Sequence, residues 1–158
     1  MREAILLVNA AARPAILAIY DDRGALLESR VLDGHLSEVL ARNVALIAAR
    51  YKIAKVLYAK GPGSFMGIKL SYIFLKSFAI AKDIEFLAAD SFYFSGGEPI
   101  LAHKNKYFAR LENGEIALVE REISEARAIA SEPSAAPIAL DFSQFSAETA
   151  PNYILGAV

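Results

Sequence analysis

The sequence predicts an α/β protein with a mixed β-sheet and helices packed on it. Three short apolar runs near the N-terminus are separated by turn residues, and each has the length of a strand. Two longer segments with helical periodicity follow, and each leads into another short apolar run. The resulting β-β-β-α-β-α-β order predicts strands of both orientations in one sheet, with right-handed crossovers between parallel neighbours.

The first three strands are predicted at Ala4–Val8, Ala15–Tyr20 and Ala25–Leu32. Asp21-Asp22-Arg23-Gly24 separates the second strand from the third, because aspartate and glycine accept the backbone angles of tight turns. Since short connections join consecutive strands, this region is interpreted as an antiparallel meander.

A first helix is predicted over Leu36–Tyr51, where apolar residues recur at helical spacing. His35 and Glu38 are interpreted as satisfying its first turn. A strand at Lys55–Lys60, a second helix at Ser64–Lys82 and a strand at Ile84–Ala88 complete the pattern.

After Ser91 the pattern weakens, and a breaker at Gly96-Gly97 predicts a boundary between a lobe of residues 1–97 and an abbreviated second lobe of residues 98–158. Asn113-Gly114 predicts a hairpin in the second lobe. The elements predicted there are strands at Ile100–His103, Tyr107–Leu111 and Glu115–Val119, a short helix at Ile123–Ala130 and a last strand at Pro137–Phe142.

Composition narrows the class of protein. Within 158 residues, hydrophobic types make up 55%, which suggests that a partner covers some apolar surface. The net charge is −1 and no basic stripe is visible, so direct binding of nucleic acid is not expected. Cysteine is absent, and no apolar run reaches the length of a bilayer span. We therefore expect a soluble, cytoplasmic protein with no membrane contact.

The most informative segment is a glycine-rich turn between the fourth strand and the second helix, called the signature loop below. It comprises Gly61, Pro62, Gly63, Ser64, Phe65 and Gly67. Glycines permit a tight turn and close backbone approach, and Ser64 is suited to cap the helix. Such a turn at a helix N-terminus can also hold a phosphate, although an unliganded turn fits the same residues.

The signature loop also resembles a known family. Gly61-Pro62-Gly63-Ser64-Phe65-Met66-Gly67-Ile68-Lys69-Leu70 is similar to the GPGSFTGLRIG signature of the TsaB family, and His35-Leu36-Ser37-Glu38 is similar to that family's HSE helix start. The likeness covers residues 4–91. It implies a ribonuclease-H-like fold of the actin and sugar-kinase superfamily, in a divergent member with a shortened C-terminal part.

The resemblance implies a non-catalytic scaffold that binds TsaD, the subunit that transfers a threonylcarbamoyl group to the adenosine next to the tRNA anticodon. The ATPase TsaE is a further partner, a homodimer is an option for the isolated chain, and tRNA contact is indirect. No cofactor is expected on this chain alone, and ATP or ADP only at the level of the complex. The expected interface lies on the two helices, at Leu36, Val39, Leu40, Ser71, Phe74, Leu75 and Phe78.

Candidate catalytic residues are few. The first strand ends in Asn9-Ala10-Ala11, whereas the family usually has D-T-S, and an amide cannot act as a general base. His35 and His103 are far apart in the sequence, so no metal site is predicted. A competing hypothesis is a small ATPase or phosphotransferase that holds phosphate at Gly61–Gly67 and uses Asp90, or Asp21 or Asp22 of the exposed turn, to organise a metal. A self-associating domain without TsaD is a third.

Overall fold

A computed structural model of the chain describes residues 1–103, 106–120 and 136–153. The strands are β1 (Arg2–Asn9), β2 (Ala15–Tyr20), β3 (Leu26–Leu32), β4 (Tyr51–Ala59), β5 (Glu85–Ala89), β6 (Ile100–His103), β7 (Lys106–Arg110) and β8 (Ile116–Glu120). The helices are α1 (Leu36–Arg50), α2 (Phe65–Lys82) and the single turn α3 (Ser91–Phe94), with a 3-10 turn at Phe142–Gln144.

The larger sheet has five strands in the order β3-β2-β1-β4-β5. The pairs β1–β2 and β2–β3 are antiparallel, whereas β4 lies parallel to both β1 and β5. The predicted meander and mixed sheet are therefore confirmed, and the two parallel connections run through α1 and α2.

The start of β4 was predicted too late. The helix α1 ends at Arg50, and Tyr51 is already extended, with φ −128° and ψ 150°. Tyr51 pairs with Arg2 at the beginning of β1. Because β4 pairs along the whole of β1, it begins at the residue directly after α1. A bulge between Ala4 and Ile5 then shifts the register. The sequence does not mark this transition, because no turn residue separates Arg50 from Tyr51 and Lys52.

The two faces of this sheet are covered by different parts of the chain. The side chains of Leu6, Val8 and Leu17 belong to a core shared with the buried faces of α1 and α2. Ile5 and Leu7, which alternate with them along β1, belong to a second core. Residues Leu140 and Phe145 complete that second core.

The C-terminal stretch 136–153 therefore lies against the five-stranded sheet, although the lobe boundary at residue 97 stays a prediction. The strand predicted at Pro137–Phe142 is wrong, because only an isolated bridge joins Ala25 to Ala139 before the 3-10 turn begins. The Tyr20 hydroxyl donates to the Pro137 carbonyl at 2.8 Å, and the Tyr58 hydroxyl donates to the Thr149 carbonyl. Main-chain hydrogen bonds hold the stretch as well, because Ala88 and Ser146 exchange two of them at 2.9 Å and the Asn152 amide donates to the Lys60 carbonyl at 2.7 Å. The stretch is thus anchored by side-chain and main-chain hydrogen bonds without forming a regular strand.

A second, three-stranded antiparallel sheet has the order β6-β7-β8, and Asn113-Gly114 turns the chain between the last two strands as predicted. An ion pair of 2.7 Å between Arg110 on β7 and Asp90 joins this sheet to the end of β5. The helix predicted at 123–130 lies outside the described residues. In the part of the chain that the structure describes, no helix has the length and apolar character needed to cross a membrane.

Candidate partner-binding surface and signature loop

The signature loop leaves the end of β4 and turns directly into α2. Gly61 and Gly63 have positive φ values of 114° and 152°, in a region that side-chain-bearing residues rarely adopt. Ser64 precedes the first helical residue, and its hydroxyl accepts a hydrogen bond from the Gly67 amide at 3.3 Å. The predicted capping role of Ser64 is therefore confirmed.

The segment that joins β1 to β2, called the β1–β2 connector below, fills the space beside the signature loop with its backbone. A Cβ atom on Gly63 would overlap the carbonyl oxygen of Ala11, and one on Gly67 would overlap that of Ala10. The Ser64 amide donates to the Ala11 carbonyl at 2.8 Å. The two alanines are only 2% and 4% exposed, so the connector is part of the interior.

This packing opposes the use of the loop as a phosphate cradle. A cradle needs amide hydrogens that face an open space, whereas here the amides of Ser64 and Gly67 are already bonded within the chain. The carbonyl oxygens of Ala10 and Ala11 stand where they would repel an anion. Asn9 supports the connector, since its side-chain oxygen accepts from the Ala11 amide at 3.2 Å.

The acids considered for an ATPase are engaged elsewhere. Asp21 accepts from the amides of Ala25 and Arg23, both at 2.9 Å, and these hydrogen bonds, that from Ala25 foremost, lower its pKa. Asp90 accepts from the Phe92 amide at 2.9 Å while it pairs with Arg110. Among the described residues, no group of three or more histidine or acidic side chains could hold a metal ion. Asp90 directly precedes Ser91, whose amide donates to the Gly61 carbonyl at 2.9 Å, but its carboxylate is engaged by the Phe92 amide and Arg110.

His35 lies at the N-cap of α1, where the prediction placed it, but its side chain does not cap the helix. Its side chain makes no capping hydrogen bond at the start of α1. Instead its backbone carbonyl accepts from the amides of Glu38 and Val39, each at 3.0 Å. The first turn of α1 is thus satisfied by the main chain.

The residues predicted to meet a partner divide into two groups. Leu40, Ser71 and Leu75 are at most 1% exposed, so a partner cannot reach their side chains in the folded chain. Ser71 donates to the Gly67 carbonyl at 2.7 Å, within its own helix. The remaining four are half-buried, and their contact with a partner stays a prediction; they are Leu36, Val39, Phe74 and Phe78.

The most exposed apolar residues of α2 were not among the predicted set. Met66, Ile73 and Ile80 are 50%, 52% and 71% exposed. With Leu70 and Ser77 they are spaced in alternating steps of four and three residues, which places all five on one side of the helix. We call these five residues the outer stripe. The same spacing is visible in the sequence. Because almost all of α2 is apolar, however, the sequence does not indicate which side of the helix faces solvent.

The neighbouring helix adds to this surface. Helices α1 and α2 contact each other on the same side of the sheet. On α1, Leu46 is 51% exposed, and Ala45 and Ala49 are exposed as well. Both helices therefore expose apolar side chains to solvent.

The sheet order, the two crossover helices and the signature loop define a ribonuclease-H-like fold. Among solved structures, the chain is similar to YeaZ, also called TsaB, from Pseudomonas aeruginosa, with a TM-score of 0.52 and 19% identity over 77% of this chain and 66% of that one. It is also similar to a protein described as uncharacterized with similarity to the peptidase YeaZ from Pseudomonas aeruginosa, with a TM-score of 0.51 and 19% identity, covering 77% and 65% of the two chains.

At this level of identity the comparison demonstrates a shared fold. The aligned part spans slightly less than two thirds of both matched chains. No model of a protein family matches the chain, and a search of curated proteins also finds no match.

Proposed function

We propose that this chain is a non-catalytic scaffold that binds and stabilises a TsaD-type subunit in the complex that adds threonylcarbamoyl to adenosine beside the tRNA anticodon. The fold shared with YeaZ supports this proposal, as does the filled space beside the signature loop. The observation that carries it is the outer stripe, an apolar surface on the longest helix of the described chain.

The outer stripe favours association because its apolar side chains remain in contact with water. Fully burying a side chain of this size stabilises by about 1.5–3 kcal/mol. Met66, Ile73 and Ile80 each keep half or more of their surface exposed. Covering them would then contribute roughly 1 kcal/mol each, before the entropic cost of association is subtracted. A partner that covers both helices gains more.

Further parts of the proposal follow the family resemblance. TsaE joins the complex, tRNA is contacted through the other subunits, and the isolated chain forms a homodimer if it associates at all. Nucleotide binding is assigned to the complex rather than to this chain, because the signature loop is closed by backbone. The cytoplasm is the proposed compartment.

Size-exclusion chromatography with light scattering tests the proposal. The chain is run alone, TsaD from the same genome is run alone, and the two are then mixed with and without ATP. A complex with the mass of a heterodimer is expected. Absence of any complex under all nucleotide conditions contradicts the scaffold function. Hydrolysis of ATP by the isolated chain would instead favour the ATPase hypothesis.

A further inference from the structure

The charges beside the outer stripe are all of one sign along α2. None of the 18 residues of α2 is acidic. Lys69 and Lys76 lie one helical heptad apart, and each follows a member of the outer stripe, Met66 or Ile73, by three residues. Both lysines are therefore next to the outer stripe, along the same edge.

The two lysines are held in place without being neutralised. The Lys76 amino group lies 2.9 Å from the Tyr72 hydroxyl and 5.2 Å from the centre of that ring. The Lys69 amino group lies 5.9 Å from the centre of the Phe65 ring. Each lysine thus rests over the aromatic residue one turn before it. In the described part of the chain, neither takes part in an ion pair with an acidic side chain.

Acidic residues are few on and next to the two helices. Asp83 follows the end of α2 beside Lys82. On α1, the acidic residue Glu38 lies in the first turn, and the same helix carries Arg42 and Arg50. The edge of the outer stripe therefore carries two positive charges with no acidic residue on their own helix and no ion pair in the described part of the chain.

We infer that the outer stripe binds a partner surface with an apolar centre bordered by acidic side chains, which face Lys69 and Lys76. This inference rests on the proposed scaffold function and adds the chemistry of its partner. A second copy of this chain is a poor match, because its own α2 offers no acidic residue to the lysines. Complementary charges mainly increase the association rate and suppress wrong partners.

The inference is tested with the double variant Lys69→Glu/Lys76→Glu and with TsaD from the same genome. The matched control is Arg23→Glu/Lys106→Glu, which makes the same change in net charge at exposed positions outside both helices. Lys69→Arg/Lys76→Arg keeps the charge and serves as a second control. Circular dichroism and thermal unfolding establish that all three variants are folded before binding is measured.

At about 50 mM salt we expect the glutamate variant at positions 69 and 76 to bind TsaD at least tenfold more weakly than wild type, since two attractions become repulsions. Both controls are expected to stay within about threefold, and the difference should shrink at about 500 mM salt, where charges are screened. A heterodimer of unchanged affinity in that variant overturns the inference but leaves the scaffold function standing. If the wild-type chain forms only a homodimer, both proposals fail.

Discussion

Leu75 and Ile73 are two residues apart on α2, yet their replacement by alanine should have very different consequences. Leu75 has no exposed surface, whereas Ile73 is 52% exposed. Removing a fully buried leucine leaves a cavity and costs about 2–5 kcal/mol of unfolding free energy. Truncating Ile73 gives up little burial, and alanine has the higher helix propensity. We expect the unfolding free energy of Ile73→Ala to remain within about 0.5 kcal/mol of wild type.

Urea denaturation followed by circular dichroism measures both values. Since 1 kcal/mol shifts the melting temperature of a domain of this size by about 2–4 °C, Leu75→Ala should melt roughly 5–15 °C below wild type. Similar losses in the two variants would refute the assignment of inner and outer sides to α2. A loss below about 1 kcal/mol for Leu75→Ala would refute the position of Leu75 in the core. The slope of the denaturation curve must stay unchanged for the comparison to hold.

Three further predictions test the loop, the interface and a polar network. Gly67→Ala should cost about 1–3 kcal/mol of stability, because its Cβ would overlap the Ala10 carbonyl, and Ser77→Ala is the control that should not. Ile80→Asp, at a position 71% exposed, should abolish binding of TsaD while its melting temperature stays within about 2 °C of wild type, and a variant that still binds would remove the outer stripe from the interface. Burial raises the pKa of Glu28, but hydrogen bonds from Arg50 and Tyr51 and nearby arginine charges outweigh it, so the pKa in the folded chain is lowered. The stability that the ionised carboxylate contributes is therefore present above its unfolded pKa and is lost as the pH falls through the lower folded value. Glu28→Gln should therefore flatten the fall in stability between about pH 5 and pH 3, and an unchanged pH profile would contradict this.

The packing around the signature loop gives its glycines a structural role. Its glycines are needed because the backbone of the β1–β2 connector lies directly against the loop, and the backbone carbonyl of Asn152 lies equally close to Gly61. Tyr153 then packs on Phe65, with ring centres 4.8 Å apart. The same glycines therefore serve close packing in this chain, which the motif alone does not distinguish from ligand binding.

The sequence by itself determined the elements and their order. Alternating apolar residues, turn residues and Asn113-Gly114 are local signals, so β1 to β8 and both long helices could be located within a few residues. The exceptions were the start of β4 at Tyr51, where pairing with β1 decides the conformation, the strand predicted at Pro137–Phe142, and the single turn α3, which was not predicted. The cap by Ser64 was likewise predictable, because it involves only neighbours in the chain.

Only the tertiary structure decided which side of α2 is buried, because an apolar residue carries the same local signal on either side of a helix. The core covers Leu75 and leaves Ile73 and Ile80 to solvent. The three buried residues therefore leave the candidate interface, and the outer stripe is added to its four half-buried members. The path of residues 136–153 across the sheet was equally hidden, since its contacts join parts of the chain that are far apart in sequence. Local patterns specify elements, whereas a binding surface is what remains uncovered after those elements have packed.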